Sequence, residues 1–127
     1  MKNILLVDDD DIFNFLNTKT LQLSGIANEI HTALNGQEAL DLLNHYYESN
    51  ASLPDIILLD LNMPVMDGFC FIEAFRKIDL PRIEDVSIII VTSSPNHSDM
   101  LRAQAMGVTR YLTKPLSEES LLSALEV

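Results

Sequence analysis

The stretch Leu53-Pro-Asp-Ile-Ile-Leu-Leu-Asp60-Leu-Asn-Met-Pro-Val-Met-Asp-Gly68 decides the fold. Its apolar block, Ile56 to Leu59, follows Pro54, ends abruptly in Asp60, and is closed by turn signals at Met63-Pro64 and Asp67-Gly68. An unbroken apolar run of this length between turn signals reads as a strand buried on both faces. Strands of that kind belong to parallel sheets covered by helices on either side. Open sheets of this class bind ligands outside the carboxyl ends of their strands, which is where Asp60 stands. Taken alone, Asp60 also reads as a residue that ends the strand and starts a turn.

Towards the N-terminus, Ile4 to Val7 is a second short apolar run, and it ends in four acids, Asp8 to Asp11. Phe13, Leu16, Thr20, Leu21 and Leu23 recur near helical spacing until Gly25, with Asp11 as the expected N-cap and Asp10 as a solvated acid. Glu29 to Ala33 reads as a more polar strand near an edge. Asn35-Gly36 then turns the chain into a helix reaching about Tyr46, and Asn50-Ala51-Ser52 belong to a loop. After Gly68 a helix over Phe69 to Ile78 carries Arg76 and Lys77 in its last turn, the favourable sign for its dipole, with Asp67 as its cap. Val86 to Val91 is another apolar strand. It is followed by Thr92-Ser93-Ser94-Pro95, where Ser94 is the expected cap and Pro95 the first residue of a helix over Asn96 to Met106. Arg110 to Thr113 forms a short fifth strand, and Ser117 caps a last helix. Five β–α units without repeats or linkers predict one α/β domain over residues 1–127, with a flavodoxin-like (βα)5 parallel sheet in the order 2-1-3-4-5 and helices on both faces.

The balance of 19 acids against 8 bases, a net charge of −11, argues against direct nucleic-acid contact, which draws its affinity from Lys and Arg on phosphates. It argues equally against docking on anionic lipid. No apolar stretch approaches a membrane span, and Met1-Lys2-Asn3 leaves no room for a signal peptide, so a cytoplasmic protein is expected. The single Cys70 is expected to be a small buried thiol in a reducing compartment.

The strand ends together carry Asp8 and Asp9, then Asp60, Thr92 and Lys114. In the order 2-1-3-4-5 the first and third strands are neighbours, so three carboxylates meet at the ligand-binding edge. Such a cluster raises its own pKa values or recruits a cation, and an all-oxygen set suits hard Mg²⁺. Thr92 adds a hydroxyl and Lys114 a point charge, both suited to an anion such as a phosphoryl group. These are the parts needed to move a phosphoryl group onto a carboxylate oxygen.

Val7-Asp8-Asp9, the run from Leu59 to Gly68, Val91-Thr92-Ser93 and Tyr111-Leu-Thr-Lys114-Pro115 together resemble a response-regulator receiver domain, the family of the single-domain chemotaxis regulator, over essentially the whole chain. The resemblance implies that Asp60 accepts a phosphoryl group from a phosphohistidine on a histidine kinase or histidine phosphotransfer protein. It implies a Mg²⁺ site (or Mn²⁺ in its place) made by Asp9 directly, Asp8 largely through water, Asp60, and the backbone carbonyl of Asn62. Thr92 and Lys114 would bond phosphoryl oxygens, the Lys114–Pro115 peptide would be cis, and Tyr111 would move inward as Thr92 is drawn to the phosphate. Tyr111 also reads as an ordinary half-buried strand aromatic. Ser94 is a position where this family tunes dephosphorylation, Met63 and Met66 read as packing residues, and His31, His45 and His97 lie at no strand end. The resemblance further implies output through the region Met100 to Tyr111 to a downstream protein, by a monomer or weak dimer.

Three other readings bear on the same residues. A phosphohydrolase of the haloacid-dehalogenase type would place Asp-x-Asp after the first strand, whereas here Asn62 lies two beyond the candidate nucleophile. A flavodoxin-like electron carrier needs a phosphate-cradling loop where this chain has four acids. A docking-only pseudo-receiver would have no use for an intact Asp8, Asp9, Asp60, Thr92 and Lys114. The leading expectation is a signalling switch that turns over no external metabolite, either stand-alone or part of a longer protein.

Overall fold

Alternation along the central strands divides the interior in two. In the computed structural model, which describes residues 2–25, 27–49, 52–94, 96–114 and 116–125, the chain runs β1 (Lys2–Val7), α1 (Asp11–Ser24), β2 (Ala27–Ala33), α2 (Gly36–Glu48), β3 (Ile56–Asp60), α3 (Gly68–Arg76), a 3-10 turn (Ile83–Asp85), β4 (Ser87–Thr92), α4 (His97–Ala105), β5 (Tyr111–Thr113) and α5 (Glu118–Leu125). The five strands are parallel in the order β2-β1-β3-β4-β5. Successive strand residues point to opposite faces. Leu5, Val7, Ile57, Leu59, Ile88 and Ile90 therefore join α2, α3 and α4 in one core through Leu43, Phe71, Ile72, Phe75 and Ala103. Ile4, Leu6, Ile56, Leu58, Ile89 and Val91 face the other way and meet Leu21 of α1 and Leu121, Ala124 and Leu125 of α5. Every residue of β3 is buried, as expected of a central parallel strand, while β2 at the edge exposes Asn28, Glu29, His31 and Thr32.

The predicted fold is present, and the local corrections are instructive. The N-cap of α1 is Asp10, not Asp11: its Oδ1 accepts from the backbone N–H groups of Ile12 (3.0 Å) and Phe13 (3.1 Å). Asp11 is the first helical residue, favourable to the dipole only. Leu16 and Leu23 do not face the sheet. They are exposed together with Ile12 and Phe15, whereas Asn14, Asn17 and Leu21 are buried. Two inward amides donate locally, Asn14 Nδ2 to the Asp8 carbonyl (2.9 Å) and Asn17 Nδ2 to the Phe13 carbonyl (2.8 Å), which offsets part of the cost of burying them, although Asn14 Oδ1 is buried without a hydrogen-bond partner.

Asn96, not Ser94, caps α4, accepting from the Asp99 N–H at 2.8 Å, and α2 runs on to Glu48. Cys70 is exposed rather than buried, and Asp67, which holds its N–H at 2.8 Å, pushes its thiol pKa up. The Asp67 and Ser117 caps are as expected. Pro95 as a first helical residue, the Asn50-Ala51 part of the loop and the Lys114–Pro115 peptide lie outside the described residues. Among the described residues no helix is long and apolar enough to cross a membrane.

Candidate functional site

The parallel register sets β1 beside β3 and β3 beside β4, pairing Val7 with Leu59 and Asp60 with Val91, so the strand ends finish at one edge. Asp8 and Asp60 are both buried there, and Asp9 is exposed. One carboxylate oxygen from each of Asp8, Asp9 and Asp60 lies within 4.8 Å of the other two. Backbone contacts fix the Asp8 turn: its N–H reaches the Ala33 carbonyl (3.0 Å), and its Oδ1 accepts from the Asp10 N–H (3.0 Å).

Asp60 is held from the other side. The helix start at Gly68 crosses its carbonyl so closely that a Cβ there would lie 2.6 Å from the Asp60 oxygen, and the Gly68 N–H bonds the Leu61 carbonyl at 2.9 Å. Only glycine permits that approach. The intervening loop docks on a neighbour too, since the Met66 carbonyl accepts from the Gly36 N–H at 3.0 Å. Met63 and Met66 pack against the core beneath it, as expected.

Lys114 reaches the acids from β5, whose last turn is tied to β4 by its own N–H on the Thr92 carbonyl (2.8 Å). Its Nζ lies 2.6 Å from Asp8 Oδ2 and 3.8 Å from Asp60 Oδ1. The contact to Asp8 is an ion pair off the hydrogen-bond line, since Asp8 Oδ2 is buried with no aligned donor. Burial and the neighbouring Asp8 push the Asp60 carboxyl from 3.8 up to about 6, with Lys114 and the Asn62 backbone N–H opposing and Asp9 adding slightly. A cluster of three carboxylates, two of them buried and the third open to solvent, is a fit for a hard divalent cation: all donors are oxygen, and the buried Asp8 Oδ2 lacks an aligned hydrogen-bond donor.

Thr92 is buried at the end of β4, its Oγ1 accepting from the Ser94 N–H at 3.2 Å. Tyr111 is half-buried and shares with Thr92, Leu61, Ile90, Asp99 and Met100 a small pocket of about 10 Å³. The exposed Asn62 follows the site two residues beyond Asp60. None of the three histidines joins the described acid cluster, and His31 instead meets Glu29 at 3.6 Å. Two further residues reach the site: Asn14, which carried no sequence signal and holds the Asp8 carbonyl, and Phe13, expected on the apolar side of α1, whose ring centre lies 4.3 Å from Lys114 Nζ.

The family model described as "Response regulator receiver domain" matches residues 4–126. This chain belongs to the response-regulator receiver family. Chemotaxis protein CheY4 of Vibrio cholerae, crystallised at low pH, superposes with a TM-score of 0.84 at 32% identity, covering 99% of this chain and 97% of that one. "Probable methanogenesis regulatory protein FilR2" of Methanothrix harundinacea is 32% identical over 97% of this receiver and 78% of its own length. "Sensor histidine kinase CheAY" of Helicobacter pylori is 33% identical over 97% of this receiver, which spans only 14% of that protein. Receivers of this kind therefore occur both nearly alone and as small parts of longer signalling proteins.

Proposed function

We propose that this receiver is a phosphorylation switch in which Asp60 takes a phosphoryl group from a phosphohistidine of a histidine kinase or histidine phosphotransfer protein. The observation that carries the reading is the meeting of Asp8, Asp9 and Asp60 within 4.8 Å, with Lys114 Nζ 3.8 Å from the Asp60 carboxylate. Asp60 Oδ1 forms the new O–P bond while the N–P bond of the donor breaks, and its electron pair stays on the imidazole nitrogen. Asp8, Asp9, Asp60 and the Asn62 carbonyl would hold Mg²⁺, which supplies charge neutralisation for the phosphoryl oxygens. Lys114 and the Thr92 hydroxyl each take one of the remaining phosphoryl oxygens.

Drawing the Thr92 hydroxyl toward that group frees space in the pocket it shares with Tyr111, so the ring swings inward and alters the face from Met100 to Tyr111 offered to a downstream protein. The protein turns over no external metabolite. Ile12, Phe15 and Leu16, exposed on the first turns of α1 beside the acids, offer the donor an apolar footing. The reading carries a cytoplasmic setting, no nucleic-acid or membrane contact, and a monomer or weak dimer. The small fraction of CheAY that this receiver spans favours a second reading, in which it serves as the input module of a longer protein.

Intact-mass spectrometry after incubation with acetyl phosphate tests the chemistry. One added phosphoryl group is expected in wild type with Mg²⁺, and none without Mg²⁺ or in Asp60→Asn. Absence of any adduct, together with no Mg²⁺-dependent beryllofluoride binding, would reduce the chain to a docking module.

A further inference from the structure

Lys114 has three partners around one ammonium: Asp8 at 2.6 Å, Asp60 at 3.8 Å and the face of the Phe13 ring at 4.3 Å. The two carboxylates belong to the cluster that suits a divalent cation, and the ring does not. We propose that Phe13 is a positioning residue, its ring a neutral seat that keeps the Lys114 ammonium beside Asp60 without competing for a cation held by the acids. The proposal rests on the reading of Asp60 as phosphoacceptor and deepens it.

The physical argument starts from competition. An ammonium anchored on carboxylates alone must either keep Asp8 Oδ2 from a divalent cation or be repelled from the site when that cation arrives. A ring face attracts a cation through its quadrupole, carries no charge, does not titrate and cannot ligate a hard metal ion. Phe13 is built to hold such a position. Its backbone N–H is fixed by Asp10 Oδ1 (3.1 Å), the next residue, Asn14, grips the Asp8 carbonyl (2.9 Å), and its half-buried ring packs against the α1/α5 core. With Leu58, Val91 and Leu116 it lines the cleft that ends at Asp8 and Asp60. Ring and carboxylate are thus parts of one turn, and the ammonium is shared between them. Lys19 over Phe15, by contrast, is a looser contact at 5.5 Å between exposed side chains.

Two readouts on wild type, Phe13→Leu, Phe13→Tyr, Lys114→Met and Phe13→Leu/Lys114→Met test the seat. Titration calorimetry gives Mg²⁺ affinity of the unphosphorylated protein, and mass spectrometry gives the rate with acetyl phosphate. Without the ring the ammonium loses its uncharged partner and rests wholly on the carboxylates of Asp8 and Asp60, which it already meets at 2.6 and 3.8 Å, so Phe13→Leu is expected to weaken Mg²⁺ and slow phosphorylation, each about two- to fivefold. Phe13→Tyr, which keeps a ring face, should restore both. In the Lys114→Met background Phe13→Leu should add nothing. Losses that persist in that background, or that Phe13→Tyr fails to rescue, would overturn the proposal and leave Phe13 as packing only. Phe13→Met supplies the same comparison if the leucine variant does not fold. A wild type that takes up no phosphoryl group, yet shows the Mg²⁺ pattern, would sink the phosphoacceptor reading and keep the seat.

Discussion

Replacing Asp60 with Asn should stabilise the metal-free protein, and by an amount that depends on pH in a calculable way. Burial and Asp8 together lift the Asp60 carboxyl from 3.8 to about 6. Between those values the folded chain binds a proton that the unfolded chain releases, so stability falls as pH rises through the window and the full penalty stands above about 6. At 1.36 kcal/mol per pKa unit the ionised form bears roughly 3 kcal/mol at pH 7.5, and solvent on the open, Asp9 side of the site reduces this to about 1–2 kcal/mol. At pH 5 the same relation leaves roughly half of it. The assay is urea unfolding of wild type and Asp60→Asn in EDTA at both pH values. The variant should be more stable by about 1–2 kcal/mol at pH 7.5 and by about half as much at pH 5. Excess Mg²⁺ should narrow or reverse the difference, because it binds the folded wild type through one more carboxylate. A variant no more stable than wild type at pH 7.5, or a gap independent of pH, would refute the claim that the cluster stores electrostatic strain.

The caps separate by substitution: Asp10→Ala should cost about 1 kcal/mol in urea unfolding and Asp11→Ala less than half of that, and equal losses would put the cap back in doubt. Val65 has φ of +68° at the centre of a tight turn closed by the Met66 N–H on the Pro64 carbonyl (2.7 Å), so Val65→Gly should raise stability by about 0.5–1 kcal/mol. A lower urea midpoint would mean that its exposed side chain makes up for the strain. Phe15→Asp should slow phosphorylation by a protein donor at least about tenfold while leaving the acetyl phosphate rate within about twofold, a footprint distinct from a damaged site. Thr92→Ala and Tyr111→Ala should be strongly non-additive in their effect on binding of a downstream partner, and independent effects would count against coupled switching.

The architecture was legible because its signals are local. Ile56 to Leu59 and Ile88 to Val91 are too apolar to be anything but interior strands, and the regular spacing of helices between them leaves few topologies. Strand-end acids could likewise be assigned to one edge, since a parallel sheet puts every carboxyl end on the same side. Reading the caps one residue off at Asp10, and two off at Asn96, has a simple cause. Asp, Ser and Asn are near-equivalent as caps, so where two of them stand within a residue or two of each other only the backbone path chooses between them. The inward face of α1 was legible at Phe13 and Leu21 but not at Leu16 and Leu23, for a deeper reason. Ile12, Phe15, Leu16 and Leu23 share one helical stripe, but Asn14 and Asn17 find backbone carbonyls to bond and so are buried instead.

The amino-acid order by itself determined the parallel α/β class, the edge at which chemistry must lie and the residue types available there, because apolar runs and turn residues act over a few neighbours. Tertiary structure alone decided that Asp8 and Asp60 are buried while Asp9 is not, that Lys114 sits nearer Asp8 than Asp60, and that Phe13 lies against its ammonium. Those outcomes depend on desolvation and on Coulomb and ring–cation forces across ångström gaps between strands far apart in the chain, and such gaps exist only once the sheet has closed its neighbours together.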